Sequence, residues 1–159
     1  MRIVQVPNNQ KREYSGLLLL ADEQWDMVER YIDAGEMWAA VIDGAVVGEC
    51  VVAEVGTRDG EDDGENLRVV EIMNLAVDPS RQGRGIGRAL VKHVRRTYAG
   101  RYYRLRVCTG DSPLTVPFYQ KCGFAIVGRV PNYFIEHYDH PIYEAGKLLT
   151  DLVMLEMDL

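Results

Sequence analysis

A chain of 159 residues, 47% apolar and 26% charged, can bury one substantial core, which excludes a disordered polypeptide and fits a single domain over residues 1–159. Three widely spaced cysteines (Cys50, Cys108, Cys122) form no CxxC pair, so neither a disulfide framework nor a zinc site is expected and a reduced, cytoplasmic setting fits. The formal net charge of −6 is uneven: Arg81 to Arg106 holds nine basic residues and no acidic one, +9 against −15 in the rest, a pattern that points to a local polyanion site. No basic stretch followed by an apolar run suggests a secretory leader, and Leu17–Leu20 falls far short of the roughly 20 apolar residues a membrane span needs.

In chain order, residues 2–6 alternate as a first strand. Asp22 to Ala34 reads as a helix with Trp25, Val28 and Ile32 on one stripe and Gly35 as its stop. Residues 37–42 and 46–55 are two strands joined by Asp43-Gly44, a hairpin signal. Gly56 to Asn66, with three glycines and five acids, is a solvated loop whose charge would suit a cationic substrate. Leu67–Val77 is a long strand and Arg84–Tyr98 a helix whose apolar stripe is Ile86, Ala89, Leu90, His93 and Val94, making His93 a packing residue. Tyr102–Cys108 is a strand, a short helix runs from Pro113 to Gly123, and Phe124–Val130 and Leu152–Leu159 are the last strands. The order predicts an α/β (α+β) domain built on one mixed sheet.

The chemistry concentrates where the long strand ends, at Val77-Asp78-Pro79-Ser80-Arg81-Gln82-Gly83-Arg84-Gly85-Ile86-Gly87-Arg88. Glycines let the backbone approach a ligand, and the first turn of a helix offers unpaired N–H groups at the positive dipole end. Arg81, Arg84 and Arg88 add charge-assisted donors, so this helix start suits phosphate. A dinucleotide fingerprint would need its third glycine where Arg88 stands and a carboxylate closing the next strand, where Arg104-Leu105-Arg106-Val107 is found. A P-loop would need Gly-Lys-Ser/Thr, which is absent, and a ligand-free tight turn leaves the converging arginines unexplained.

Gln82-Gly83-Arg84-Gly85-Ile86-Gly87 resembles the Q/R-x-x-G-x-G/A signature of the GNAT superfamily of N-acetyltransferases, directly after the strand Glu71–Val77. Phe118-Tyr119-Gln120-Lys121-Cys122-Gly123-Phe124 resembles its second motif. The resemblance implies a mostly antiparallel sheet of six to seven strands flanked by helices, with a splayed strand pair holding acyl-CoA. It implies that acetyl-CoA is the co-substrate, with no metal, and that an acetyl group passes directly to a primary amine. Leu75, Ala76 and Val77 would pair with the pantetheine arm, and Gln82, Gly83, Arg84, Gly85, Ile86, Gly87 and Arg88 would hold the pyrophosphate. Asp111 and Ser112, with Cys108, Thr109 and Gly110, would meet the inner arm of the cofactor. Glu71, on the face of Met73, Leu75 and Val77, is the base candidate, its pKa raised by burial, and Tyr119 is the acid candidate. A covalent relay through Cys108 or Cys122 has no evident partnering base.

The stretch from Pro131 to Glu144 departs from the family pattern and resembles that of a bacterial GNAT subgroup; its aromatics and acids are candidates for the acceptor pocket, while His137 and His140 make a poor metal pair. The family it resembles often forms homodimers, and the apolar strand Leu152–Leu159 is a pairing candidate, while the sequence leaves the oligomeric state open. A cationic acceptor, small molecule or peptide, suits the acidic exterior. The competing readings are a non-catalytic acyl-CoA-binding module, disfavoured by the joint presence of Glu71 and Tyr119, and a nucleic-acid binder through residues 81–106, disfavoured by overall acidity. No nucleic-acid or membrane partner is expected.

Overall fold

Alternation of buried and half-buried side chains, the signature of a sheet covered on both sides, runs through the central strands of the computed structural model, which describes residues 1–57 and 68–159. The strands are β1 (Arg2–Val6), β2 (Glu36–Ile42), β3 (Ala45–Thr57), β4 (Arg68–Val77), β5 (Arg104–Gly110), β6 (Ala125–Val130), β7 (Tyr143–Glu144), β8 (Lys147–Leu148) and β9 (Leu152–Asp158). The helices are α1 (Ser15–Ala21), α2 (Trp25–Glu29), α3 (Ile86–Tyr98), α4 (Thr115–Lys121) and α5 (Tyr133–His137). Seven strands form one sheet in the order β1-β2-β3-β4-β5-β9-β6, in which only the β4–β5 pair is parallel, and β7 and β8 form a separate small hairpin. The expected mixed, mostly antiparallel sheet is the one found.

Asp43 and Gly44 both take positive φ, 51° and 78°, the geometry of the hairpin turn their sequence announces. The acidic loop expected over Gly56–Asn66 falls, from residue 58 onward, outside the described residues, and β3 runs through Gly56.

Two expectations are corrected. The helix expected over Asp22–Ala34 is α-helical only from Trp25 to Glu29. Beyond Glu29 the turns tighten, with Arg30 N donating to Met27 O (3.3 Å) and Tyr31 N to Val28 O (3.2 Å), and the carbonyls of Ile32 and Gly35 accept from Lys11 Nζ, at 2.9 Å for Ile32. The sheet's actual cover begins earlier, in α1, where Leu18 is fully buried. The second correction concerns Leu152–Leu159. β9 lies between β5 and β6, so its ladder groups are already paired on both sides, and β6 is the free edge at that end of the sheet.

Two apolar clusters flank the sheet. One, under α3, joins Ile72, Leu90, Val94, Leu105 and Leu155; His93 packs at its margin, edge-on to Trp38 at 4.5 Å between centroids. The other, under α1 and α2, joins Val6, Leu18, Val28, Ile32, Met37 and Val51. Packed on both sides, β4 is held firmly enough to position a site.

Candidate active site

Parallel pairing between β4 and β5 covers only Val69–Ile72 against Arg104–Val107, although β4 continues to Val77 and β5 to Gly110. Beyond Ile72 the strands part. β4 also carries a bulge: Val51 pairs with Asn74 but Val52 with Ile72, leaving Met73 unmatched. One extra residue reverses the alternation, so Ile72, Leu75 and Val77 pack toward the α3 side whereas Met73 packs toward α1 and α2. Glu71, between Val70 and Ile72 of the α3-side cluster, therefore shares its face with Met73 but not, as the unbroken period suggested, with Leu75 and Val77.

The opening is a cleft of about 990 Å³. At one end lies the turn before α3. Asp78 accepts from Ser80 N (2.8 Å) and Oγ (2.6 Å), and Gln82 Nε2 donates to Val77 O at 3.1 Å. Gly83 and Gly85 hold φ of 75° and 81°, a region L-residues rarely enter, and Gly85 caps α3 without any side-chain hydrogen bond. The first ladder bond of α3 is Ala89 N to Gly85 O, so the amides of Ile86, Gly87 and Arg88 have no partner within the helix. Gln82, Gly83, Gly85, Ile86, Gly87, Arg88 and Arg81 line the cleft; Arg84 stands outside it. The basic run is divided: Arg104 and Arg106 are neutralised by Glu156 and Asp158 of β9, which leaves Arg81 and Arg88 as cations facing the cleft from the 81–106 stretch.

Leu75, Ala76 and Val77 line the cleft along the edge of β4 that β5 has left. Glu71 lies on the wall, its pKa raised by burial against the opposing pull of a Cys108 hydrogen bond and of Arg106. Cys108 is pushed up to about 12 by burial and by Glu71, so it stays a thiol and donates to the carboxylate. Tyr119 is 6% exposed, with its ring centroid 5.0 Å from Phe118 and 5.6 Å from Phe124, and burial pushes its phenol far above the ordinary range. It lines the same cleft.

Asp111 and Ser112 are not on the cleft wall, which Thr109, Gly110, Leu114 and Thr115 form at that point. Asp111 is turned to Arg129 (2.7 Å) and Lys147 (3.6 Å), and buried Ser112 accepts from Leu114 N at 3.1 Å. The far end of the cleft belongs to the segment after β6. Tyr133, Phe134, Tyr138, Tyr143 and Glu144 line it opposite Asp22, Tyr31 and Asn74. Sequence reasoning missed these last three; a lone Asn inside an apolar strand was the available signal. His137 donates from Nδ1 to Tyr133 O at 2.9 Å, and His140 contacts Asp139 and, at 3.8 Å, Glu23.

A parted parallel strand pair that ends on an uncapped, arginine-flanked helix start suits a thioester-carrier-dependent transferase, with diphosphate at the helix and the reacting group between the strands. Comparison with known proteins agrees. Residues 33–126 match the acetyltransferase (GNAT) domain model. Over 149 residues the chain is 34% identical to the uncharacterized N-acetyltransferase YvbK of Bacillus subtilis, covering 92% of this chain and 90% of that protein. The IAA acetyltransferase of Bacillus cereus superposes with TM-score 0.84 at 33% identity, over 99% of both chains. A GNAT family acetyltransferase of Elizabethkingia anophelis with acetyl-CoA bound gives TM-score 0.84 at 32% identity, over 99% of this chain and 97% of that one. The chain belongs to the GNAT acetyltransferases, enzymes whose co-substrate is acetyl-CoA.

Proposed function

We propose that this enzyme transfers the acetyl group of acetyl-CoA directly to a primary amine, with Glu71 as base and Tyr119 as acid. The observation that carries the reading is the end of pairing at Ile72 and Val107, which opens one cleft from the glycine turn to Glu71. The free amides of Ile86 to Arg88, with Arg81 and Arg88, would hold the diphosphate, and the E. anophelis relative binds acetyl-CoA in the same fold. The open edge of Leu75, Ala76 and Val77 would pair with the pantetheine amides. Acetyl-CoA supplies an activated thioester.

Glu71, less acidic than a free carboxylate, draws a proton from the amine through water. Tyr119, kept protonated by its apolar surroundings, gives its proton to the departing sulfur, forming free CoA thiol, and is reprotonated from water, to which Glu71 releases the proton taken from the amine. Cys108 holds its proton toward Glu71 and so orients the base; a thiol with that pKa is a poor nucleophile, which supports direct transfer over an acetyl-cysteine relay. The acceptor enters from the end formed by α1, α2 and the segment after β6. The free cysteines support a cytoplasmic location, and none of the described helices is long and apolar enough to cross a membrane.

The test is amine-dependent release of free thiol from acetyl-CoA. The rate should rise with pH through a pKa above the usual carboxylate range, because Glu71 works only when ionised. Glu71→Gln should lower kcat about hundredfold and abolish that pH limb. An undiminished rate in the variant would remove Glu71 from the mechanism.

A further inference from the structure

We infer that the end of the cleft remote from the glycine turn is built for an acceptor carrying a second cationic centre, beyond the amine that is acetylated, and that Asp22 receives it. This rests on the acetyl-transfer reading above. Asp22 lines the cleft and is held by two neutral donors: Tyr138 Oη at 2.6 Å to Oδ1 and Tyr31 Oη at 3.2 Å to Oδ2. Among the described residues it makes no ion pair. Phenols fix a carboxylate without neutralising it, so its charge is left for a ligand. Among the described residues Arg30 is the cation lining this end and acts on Asp22 from a distance beyond ion pairing, against three carboxylates, Asp22, Glu23 and Glu144.

The hold of Tyr31 on Asp22 is itself fixed by Asn74. Asn74 is 3% exposed and lines the cleft. Its Nδ2 donates to Leu18 O and to Tyr31 Oη, both at 2.9 Å, and because the carbonyl can only accept, the orientation of the amide is settled. Both N–H groups are thereby used, while Oδ1 meets no partner among the described residues. The Tyr31 hydroxyl, accepting from Asn74, is thereby left to donate its own proton to Asp22.

The group at Asp22 is not the reacting amine. Asp22 is held by Tyr138 and Tyr31, whereas Glu71 accepts from Cys108, so the cleft wall carries two separate carboxylate positions. The reacting nitrogen must be neutral beside Glu71, whereas Asp22, a carboxylate on the same cleft wall, favours a retained ammonium. Stacking of Tyr133 on His137 (4.2 Å between centroids) and of Phe134 on Tyr138 (5.4 Å) holds these rings in place. Two sites for nitrogen in one cleft select a linear diamine or longer polycation.

The experiment compares cadaverine, aminopentanol and pentylamine as acceptors with acetyl-CoA, alongside calorimetry of cadaverine on the CoA-loaded protein. Cadaverine should exceed the amino alcohol in kcat/KM by about tenfold or more, as a charge-assisted contact warrants. Asp22→Asn should collapse that ratio and weaken cadaverine binding by a similar factor, Asp22→Glu should restore part of both, and melting curves establish that each variant folds. Equal use of the three amines, or a ratio that survives Asp22→Asn, overturns the inference. Asp22-dependent binding of cadaverine without turnover of any amine upholds it and instead removes the acetyl-transfer reading. Neither binding nor turnover removes both.

Discussion

Glu49 is the residue whose chemistry is most at odds with its place. It is fully buried on β3 across from Ala76, and among the described residues neither carboxylate oxygen has a partner at hydrogen-bonding geometry. Burial raises its pKa to about 8 from 4.5, and the nearby Ala76 N–H pulls it back only in part. A carboxyl whose folded pKa lies above its unfolded one stabilises fully below the unfolded value, and that contribution drains away as pH climbs through the folded value. Wild type should therefore lose on the order of a few kcal/mol of stability between about pH 5 and pH 9 through this group. Glu49→Gln should flatten that slope and melt higher than wild type at the alkaline end. Parallel melting curves for the two proteins across this range would eliminate Glu49 as the source. Glu71 differs in kind: its shift is restrained by Cys108 and Arg106, which suits the role of base proposed for it.

Among the elements, the turn before α3 would couple backbone strain to the proposed binding of diphosphate. An added Cβ at Gly85 would meet nothing within 4 Å, so the obstacle there is φ of 81° and not space. An L-residue in that region costs about 1–2 kcal/mol, enough to lower Tm by a few degrees in a chain of this size. Relief of the strain would also swing the free amides of α3, so Gly85→Ala should raise the dissociation constant for acetyl-CoA about tenfold. Gly128, which has ordinary φ and open space, is the control, and its alanine variant should leave stability within about 0.5 kcal/mol. Calorimetric titration of both variants reads the difference, and equal affinities would mean the turn does not hold the diphosphate.

This turn was the most legible part of the sequence, because glycine spacing and arginine clustering are local signals. The β4 bulge was not. One unmatched residue, Met73, leaves the apolar period looking continuous while it reverses the faces, which misassigned the neighbours of Glu71. The helix expected over Asp22–Ala34 was shortened for a related reason, since the carbonyls of Ile32 and Gly35 beyond it are taken up by Lys11, over 20 residues away in the chain. Asp111 was drawn off the cleft by Arg129 and Lys147, partners that only the fold brings near.

The molecule as a whole is a sheet of two halves, β1 to β4 and β5-β9-β6, joined at a seam where only four residue pairs match. β5 meets β9 over seven pairs, so the seam is the thinnest part of the ladder, and α3 with its apolar cluster bridges the rest. A ligand lying along β4 beyond Ile72 would complete the interrupted edge and tie the halves together. Because it binds the folded chain and not the unfolded one, CoA at a hundredfold excess over its Kd should add about 2.7 kcal/mol, a rise in Tm of roughly 5–10 °C. Location is the sharper readout. Amide exchange should slow at Leu75, Ala76 and Val77 and along the start of α3, with little change in β1 and β2, which lie at the far edge of the sheet. A rise in Tm with protection confined to β1 and β2 would place the binding site elsewhere, and the parted strands would then be a feature of packing alone.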